Sequence, residues 1–178
     1  MKDAKDQSAF TLIETLVVIA ITAILSTMFI IYSNSSTGNL VLYTGRAEVA
    51  GVLERAKSLA LDKYTSGAYG GTTTCAFGVN FSTSTGEYFI YAVGTSSDSC
   101  AGMADYTWGG SPYNYQIQTL QLNGQLAFIP PTSQDIYFVP PYFTANATGT
   151  VVIQDTKSGV TAGIEVNAGG SVSSVSTP

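Results

Sequence analysis

Apolar residues are spread very unevenly along this chain. Phe10 to Tyr32 reads FTLIETLVVIAITAILSTMFIIY, with one charge, Glu14, and no charge, Pro or Gly from Thr15 onward. An α-helix rises about 1.5 Å per residue, so the run is roughly 30–35 Å long, a match to the hydrocarbon core of a bilayer. The apolar region of a secretory signal peptide is shorter, about 7–15 residues, and a small-residue cleavage site follows it. Here the small residue, Ala9, precedes the run. A buried core helix that is hydrophobic all round needs apolar cover on every side, and no other segment offers enough. The pattern predicts a membrane-spanning helix over residues 10–32.

The next segment, SNSSTGN (33–39), holds poor helix formers and a Gly. It reads either as a break just outside the membrane or as a strained stretch of one long helix. Helical periodicity resumes over 39–64. Leu42, Val49, Leu53, Ala56, Ala60 and Tyr64 recur at three- and four-residue steps, beside Val52 and Leu59, with Glu48, Arg55 and Asp62 on other faces. Gly45 and Gly51 weaken the helical signal in the first half. From Ser66 the period changes. Candidate strands are 73–81, 88–93, 115–122, 125–129, 135–139, 150–154, 161–166 and 171–175, divided by frequent turn signals. Asn123-Gly124 between two alternating runs predicts a two-residue hairpin. Further hairpins are expected at 155–159 and 168–170. The expected fold class is α+β: a long N-terminal helix, transmembrane and then amphipathic, packed on an antiparallel sheet domain.

Composition narrows the function. The chain has 178 residues, a net charge of −5 and only 7 Lys+Arg, so it lacks a broad basic face for nucleic acid phosphates. There is no His, which removes the commonest general base and transition-metal ligand. Lys2 and Lys5 precede the apolar run, and no further Lys or Arg occurs until Arg46. The positive-inside rule then favours an N-terminus in the cytoplasm. Cys75 and Cys100 are the two cysteines, both in the β-rich part. An even pair in an extracytoplasmic segment reads as one disulfide, the other reading being two separate buried thiols. Closing that loop would stabilise the domain by roughly 3 kcal/mol in the chain-entropy model.

Glu14 is the costly residue. A carboxylate one turn into a membrane helix carries a penalty of about 2.5–3.5 kcal/mol on insertion scales, so it needs a partner or a role. One reading is that it reaches the headgroups. A sharper one is that cleavage before Phe10 creates a positive amine, with Glu14 on nearly the same helix face. Glu14 could neutralise that amine or the amine of a neighbouring subunit.

The segment SAFTLIETLVVIAITAIL resembles the processing site and N-terminal helix of type IV pilins and pseudopilins. The resemblance implies cleavage between Ala9 and Phe10 by a prepilin peptidase, N-methylation of Phe10, and Glu14 as the assembly carboxylate. Two features depart from the family pattern: Ala9 stands where Gly is usual, and the leader is net neutral rather than basic. Ile136-Tyr-Phe-Val-Pro-Pro, Val151-Val-Ile and Gly163-Ile-Glu-Val with Gly169-Gly170 look like the C-terminal half of H-type minor pseudopilins, the GspH/FimT group. The helix GRAEVAGVLERAKSLALDKY also looks like that group's first soluble helix.

The resemblance implies a cleavable leader (1–9), a transmembrane and assembly helix (10–32), a linker and amphipathic helix (33–64) and a β-rich extracytoplasmic domain (65–178). The protein would be a structural subunit, a minor pilin or pseudopilin, of a type IV pilus or type II secretion-type fibre. Its location would be the cytoplasmic (inner) membrane as a single-pass protein, then the fibre. Its partners would be other pilin or pseudopilin subunits, the prepilin peptidase and the membrane. Direct nucleic-acid binding is not expected, because Lys157 is the one Lys or Arg beyond residue 63. The rival reading is a single-pass receptor or adhesin whose β domain binds a ligand.

Candidate chemistry is sparse. No His accompanies a Ser or Cys nucleophile. Glu87, Asp98, Asp105, Asp135, Asp155 and Glu165 are scattered without a motif. Asp155-Thr-Lys-Ser-Gly departs from a calcium loop at Lys157. No catalytic residue, metal site, cofactor or enzyme activity is expected. Asn80-Phe-Ser and Asn146-Ala-Thr fit the N-glycosylation pattern. Tyr106, Trp108, Tyr113 and Tyr115 either touch partners or sugars, or cap the end of a small β core.

Overall fold

The computed structural model describes residues 12–66, 73–96, 99–100, 103, 105–140, 144–145 and 149–175, with backbone alone at 33–37, 63–66 and 144–145. Its chain forms two compact units, Met1–Thr37 and Gly38–Pro178. Helix α1 runs Leu12–Ser66, and its backbone continues through the poor helix formers at 33–39. Of the two readings of that segment, the uninterrupted helix is the one observed.

Within the first unit, α1 supplies a stretch, Leu12–Tyr32, of 21 residues, long and apolar enough to cross a membrane. None of it is buried inside the chain. Its hydroxyls turn back on the helix. Thr15 Oγ1 donates to Leu12 O (2.9 Å), Thr22 Oγ1 to Ile19 O (3.0 Å), Ser26 Oγ to Thr22 O (2.7 Å) and Thr27 Oγ1 to Ile24 O (2.8 Å). These four Ser and Thr hydroxyls are thereby satisfied locally, which a helix surrounded by hydrocarbon requires.

The second unit begins on the same helix with the opposite outcome. Leu42, Val49, Val52, Leu53, Ala56 and Ala60 are buried and Leu59 is half-buried, as the periodicity predicts. The side chain of Tyr64, also placed on that stripe, lies outside the described residues. Glu48, Arg55 and Asp62 are exposed. Among the described residues nine strands follow: β1 (Thr73–Phe81), β2 (Glu87–Thr95), β3 (Asn114–Gln121), β4 (Leu126–Ile129), β5 (Asp135–Val139), β6 (Thr144–Ala145), β7 (Gly149–Asp155), β8 (Thr161–Val166) and β9 (Val172–Val175). They form a five-stranded sheet in the order β3-β2-β1-β5-β6 and a four-stranded sheet in the order β4-β7-β8-β9. All pairings are antiparallel. The α+β architecture is therefore the expected one, and the short β6 is an addition to it.

One expected hairpin is absent. β3 pairs with β2 and β4 pairs with β7, so Asn123-Gly124 joins two sheets rather than two neighbouring strands. A two-residue type I′ hairpin needs left-handed backbone at both central positions. Gly124 does not adopt it, unlike Gly86, Gly109, Gly159 and Gly170. Instead Leu126 N donates to Asn123 O (2.7 Å), which makes Asn123 the first residue of an ordinary β-turn. Leu122 and Leu126 on either side are both buried in the core, and burying both is what turns the chain from one sheet to the other. The other two hairpins form as expected, β7–β8 and β8–β9.

The main core lies between the helix stripe and both sheets. Phe77, Val79 and Phe81 of β1, Tyr88 and Ile90 of β2, Ile136 and Phe138 of β5, Phe128 of β4, Val151 and Ile153 of β7 and Ile164 of β8 all point into it. Phe81, Tyr88 and Phe128 pack ring to ring, with centroids 5.3–6.2 Å apart. Gly45 in the helix is a close-approach position: a Cβ there would collide with the Leu126 side chain. Gly51 faces open space. The two glycines of the amphipathic helix thus have different physical standing.

Candidate functional site

Among the residues singled out from the sequence, Ala9 and Phe10 lie outside the described residues. Glu14 does not. It sits in the first turn of α1, where the unpaired backbone N–H groups and the helix dipole favour a negative charge. Its side chain is exposed, as are Leu12, Ile13, Leu16 and Val17 around it. The stretch therefore presents one acid at the end of an apolar cylinder with no internal cover. Such a cylinder can do two things: enter a bilayer, or pack against other apolar helices.

The disulfide is formed. Cys75 and Cys100 are bonded, with their Cα atoms 5.5 Å apart and a sequence separation of 25. Cys75 is buried in β1, at the irregularity between Thr74 and Ala76 in the β1–β2 register. The bond ties the segment after β2 to the outer face of the five-stranded sheet. That face carries a second core of Ala76, Tyr91 and Val93, with Phe89, Met103, Tyr106 and Val139 against it. Trp108 packs on Phe89 and Tyr91 with ring centroids 4.9 and 5.6 Å away, and Tyr106 lies 5.6 Å from Tyr137. For Tyr106 and Trp108, capping a β core is the reading the packing supports, while Tyr115 packs on the main core instead.

The reason was partly legible. In β1 and β2 apolar residues stand at both parities of the strand, CAFGVNF and YFIYAV, which is the mark of a sheet covered on both faces. That signal points to a cover but does not say which segment supplies it.

The electrostatics of the cap are structural. Tyr91 donates from its hydroxyl to Tyr106 O (3.2 Å). Burial pushes the Tyr91 hydroxyl far above the usual phenol range, and the Asp135 carboxylate beside it adds to the shift. Burial raises Tyr137 in the same way. Asp135 Oδ1 accepts from Asn80 Nδ2 (3.0 Å) and Trp108 N (3.2 Å). Asp105 Oδ1 accepts from Thr107 N (2.8 Å), and the Thr107 hydrogen bonds hold its carboxyl below the ordinary range. Each acid is thus occupied in fixing the loop. Tyr88 binds the helix to the sheet from the other side, donating to Glu48 Oε1 (3.0 Å). Burial and that carboxylate raise its pKa.

Asp155 is a turn cap. Its Oδ1 accepts from Lys157 N (2.9 Å) and its Oδ2 from Ser158 Oγ (2.7 Å), and these bonds, the Ser158 one first, lower its pKa. Gly159 closes the turn with φ of 75°. Among the described residues no three His, Cys, Asp or Glu side chains converge as a metal site would require. Asn80, one of the two glycosylation-pattern residues, is 7% exposed and bonded to Asp135, so it is not a free acceptor. Asn146 and Asp98 lie outside the described residues. A cleft of about 480 Å³ between the β1–β2 turn and the loop before β5 is lined by Asn80, Phe81, Ser82, Thr83, Ser84, Pro130, Thr132 and Gln134. None of these groups titrates in the physiological range, so the cleft carries no acid–base pair.

Residues 4–30 match the family model described as the prokaryotic N-terminal methylation motif. The match overlaps the exposed apolar helix and its first-turn acid, and makes the N-terminal segment type IV pilin-like, of the kind processed by a prepilin peptidase. No curated protein and no solved structure matches the chain.

Proposed function

We propose that this chain is a structural subunit of a type IV pilus or type II secretion-type fibre. It is held in the cytoplasmic membrane with its N-terminus in the cytoplasm and its β domain outside. A prepilin peptidase cuts between Ala9 and Phe10, the new amine is methylated, and Glu14 meets that amine or a neighbour's as the helix enters the fibre. The observation that carries this reading is the coincidence of three features. The matched motif, the uncovered 21-residue apolar stretch and the acid in its first turn fall on the same segment.

The strand pattern supports the finer assignment, a minor subunit of the H-type (GspH/FimT) group. Two antiparallel sheets on a helix, stapled by one disulfide, suit a displayed module whose contribution is shape rather than catalysis.

The carboxylate supplies the test. Glu14→Ala removes a charge that costs about 2.5–3.5 kcal/mol to insert, so the variant stays in the membrane fraction at least as well as the parent. Its recovery in the sheared fibre fraction drops at least tenfold, and mass spectrometry of the parent finds N-methylated Phe10 as the mature terminus. An intact Met1 in the membrane, or unchanged entry of Glu14→Ala into fibres, points instead to a tethered receptor or adhesin.

A further inference from the structure

The chain contains seven asparagines, and Asn123 is the one followed by Gly. It sits in the turn that carries the chain from β3 to β4, exposed, with Gly124 and Gln125 exposed beyond it. Its side-chain oxygen Oδ1 accepts from Gln125 N (3.0 Å), while its backbone oxygen accepts from Leu126 N (2.7 Å). The first bond folds the side chain over the Gly124 peptide and draws electron density from the side-chain carbonyl carbon. Gly124 has no Cβ to shield its amide nitrogen, and nothing lies within 4 Å of where one would be.

We infer that Asn123 is a site of spontaneous covalent modification in the folded protein: closure on Gly124 to an imide, then opening to aspartate or isoaspartate. The Gly124 amide nitrogen bonds to Asn123 Cγ and gives up its proton. The bond from Cγ to Nδ2 breaks, and the side-chain nitrogen leaves as ammonia, taking that proton. Water then adds to one of the two imide carbonyls. Opening at one leaves an ordinary aspartate. Opening at the other routes the backbone through the former side chain and lengthens it by a methylene. No oxidant or second protein is required.

The remaining asparagines provide contrast. Asn80 is buried in β1 and precedes Phe81. Asn167 is the close comparator. It is exposed in a turn, and its Oδ1 accepts from Ser171 N (3.0 Å), yet Ala168 follows it and sets a Cβ beside the attacking nitrogen. The place of Asn123 gives the modification a consequence. Leu122 and Leu126, buried on either side, are the points where the two sheets share the main core. A lengthened backbone between them would alter the spacing of that junction.

The experiment is to hold the full chain, folded in detergent at mildly alkaline pH, and map it by mass spectrometry with separation of aspartate and isoaspartate peptides. Conversion at Asn123 is expected to outrun that at Asn167 several-fold, with isoaspartate among the products. Gly124→Ala is a clean control, because the position is open and its backbone is outside the left-handed region, so the fold is kept and conversion at Asn123 falls several-fold. The proposal is overturned if Asn167 converts as fast as Asn123 in the folded chain, or if Gly124→Ala leaves the rate at Asn123 unchanged.

Discussion

Ile24 and Leu53 belong to one helix and are similar in size and apolarity, yet Ile24 is 57% exposed and Leu53 is 0% exposed. The residues around Leu53 alternate with Glu48, Arg55 and Asp62, so they form a stripe, and the chain's own sheets cover it. The residues around Ile24 are apolar on every side, and nothing in their own compact unit covers them. A stripe announces a partner within the fold, whereas an apolar cylinder announces a partner outside it: lipid first, and other helices afterwards. The first region stabilises the domain. The second is long and apolar enough to cross a membrane and is consistent with an anchor.

The contrast can be broken most sharply by truncating one residue in each half. Leu53→Ala is expected to lower the stability of the β domain by about 2–5 kcal/mol, through lost burial and the cavity left behind. Ile24→Ala should change it by less than about 0.5 kcal/mol. Thermal unfolding followed by near-UV circular dichroism in detergent measures both, and equal losses would show that the two halves are not independent.

The disulfide sharpens the same division. Reducing it, or making Cys100→Ser, should cost the domain about 3 kcal/mol, the entropy of reopening a loop of this length, and should leave membrane retention unchanged. The readouts are Tm and the membrane fraction.

Alkaline pH probes the core of the second region alone. The hydroxyls of Tyr88 and Tyr91 have folded pKa values raised above the ordinary phenol value. Their contribution is therefore complete below about pH 10 and is lost as pH climbs beyond it, because the unfolded chain releases those protons first. Tm should stay flat from neutral pH to about 9 and then fall, with tyrosinate absorbance from these two rings appearing only on unfolding. Tyr88→Phe should make the fall shallower.

The smallest expected effect separates two glycines of the covered half. Gly51→Ala should stabilise the domain by about 0.5–1 kcal/mol, since it adds helix propensity in open space. Gly45→Ala should bring no such gain, because its Cβ meets Leu126. Urea midpoints of the two variants make the comparison.

Much of this was legible in the sequence because it is carried by local patterns. The apolar run, the acid in its first turn, the stripe from Leu42 to Ala60 and two of three expected hairpins are all carried by residues near one another in the chain. The fate of Asn123-Gly124 did not. The dipeptide is compatible with a hairpin and with a plain turn, and the choice was made by burial of Leu122 and Leu126 in a core they share. The aromatic cap was half-legible: β1 and β2 show that both faces are covered, while the identity of the cover, Trp108 and Tyr106, depends on a long-range bond between Cys75 and Cys100.

The sequence by itself determined that one segment, 21 residues long with Glu14 as its single charge, is apolar on all sides and needs cover that a one-sided stripe does not. It also determined that a helix with a single apolar side must lie on a sheet. Only the tertiary structure decided how the strands divide between two sheets, why Gly45 must be small and Gly51 need not be, and which acids are spent fixing loops. Those choices depend on residues far apart in the chain competing for the same buried volume, and no local pattern records the result of that competition.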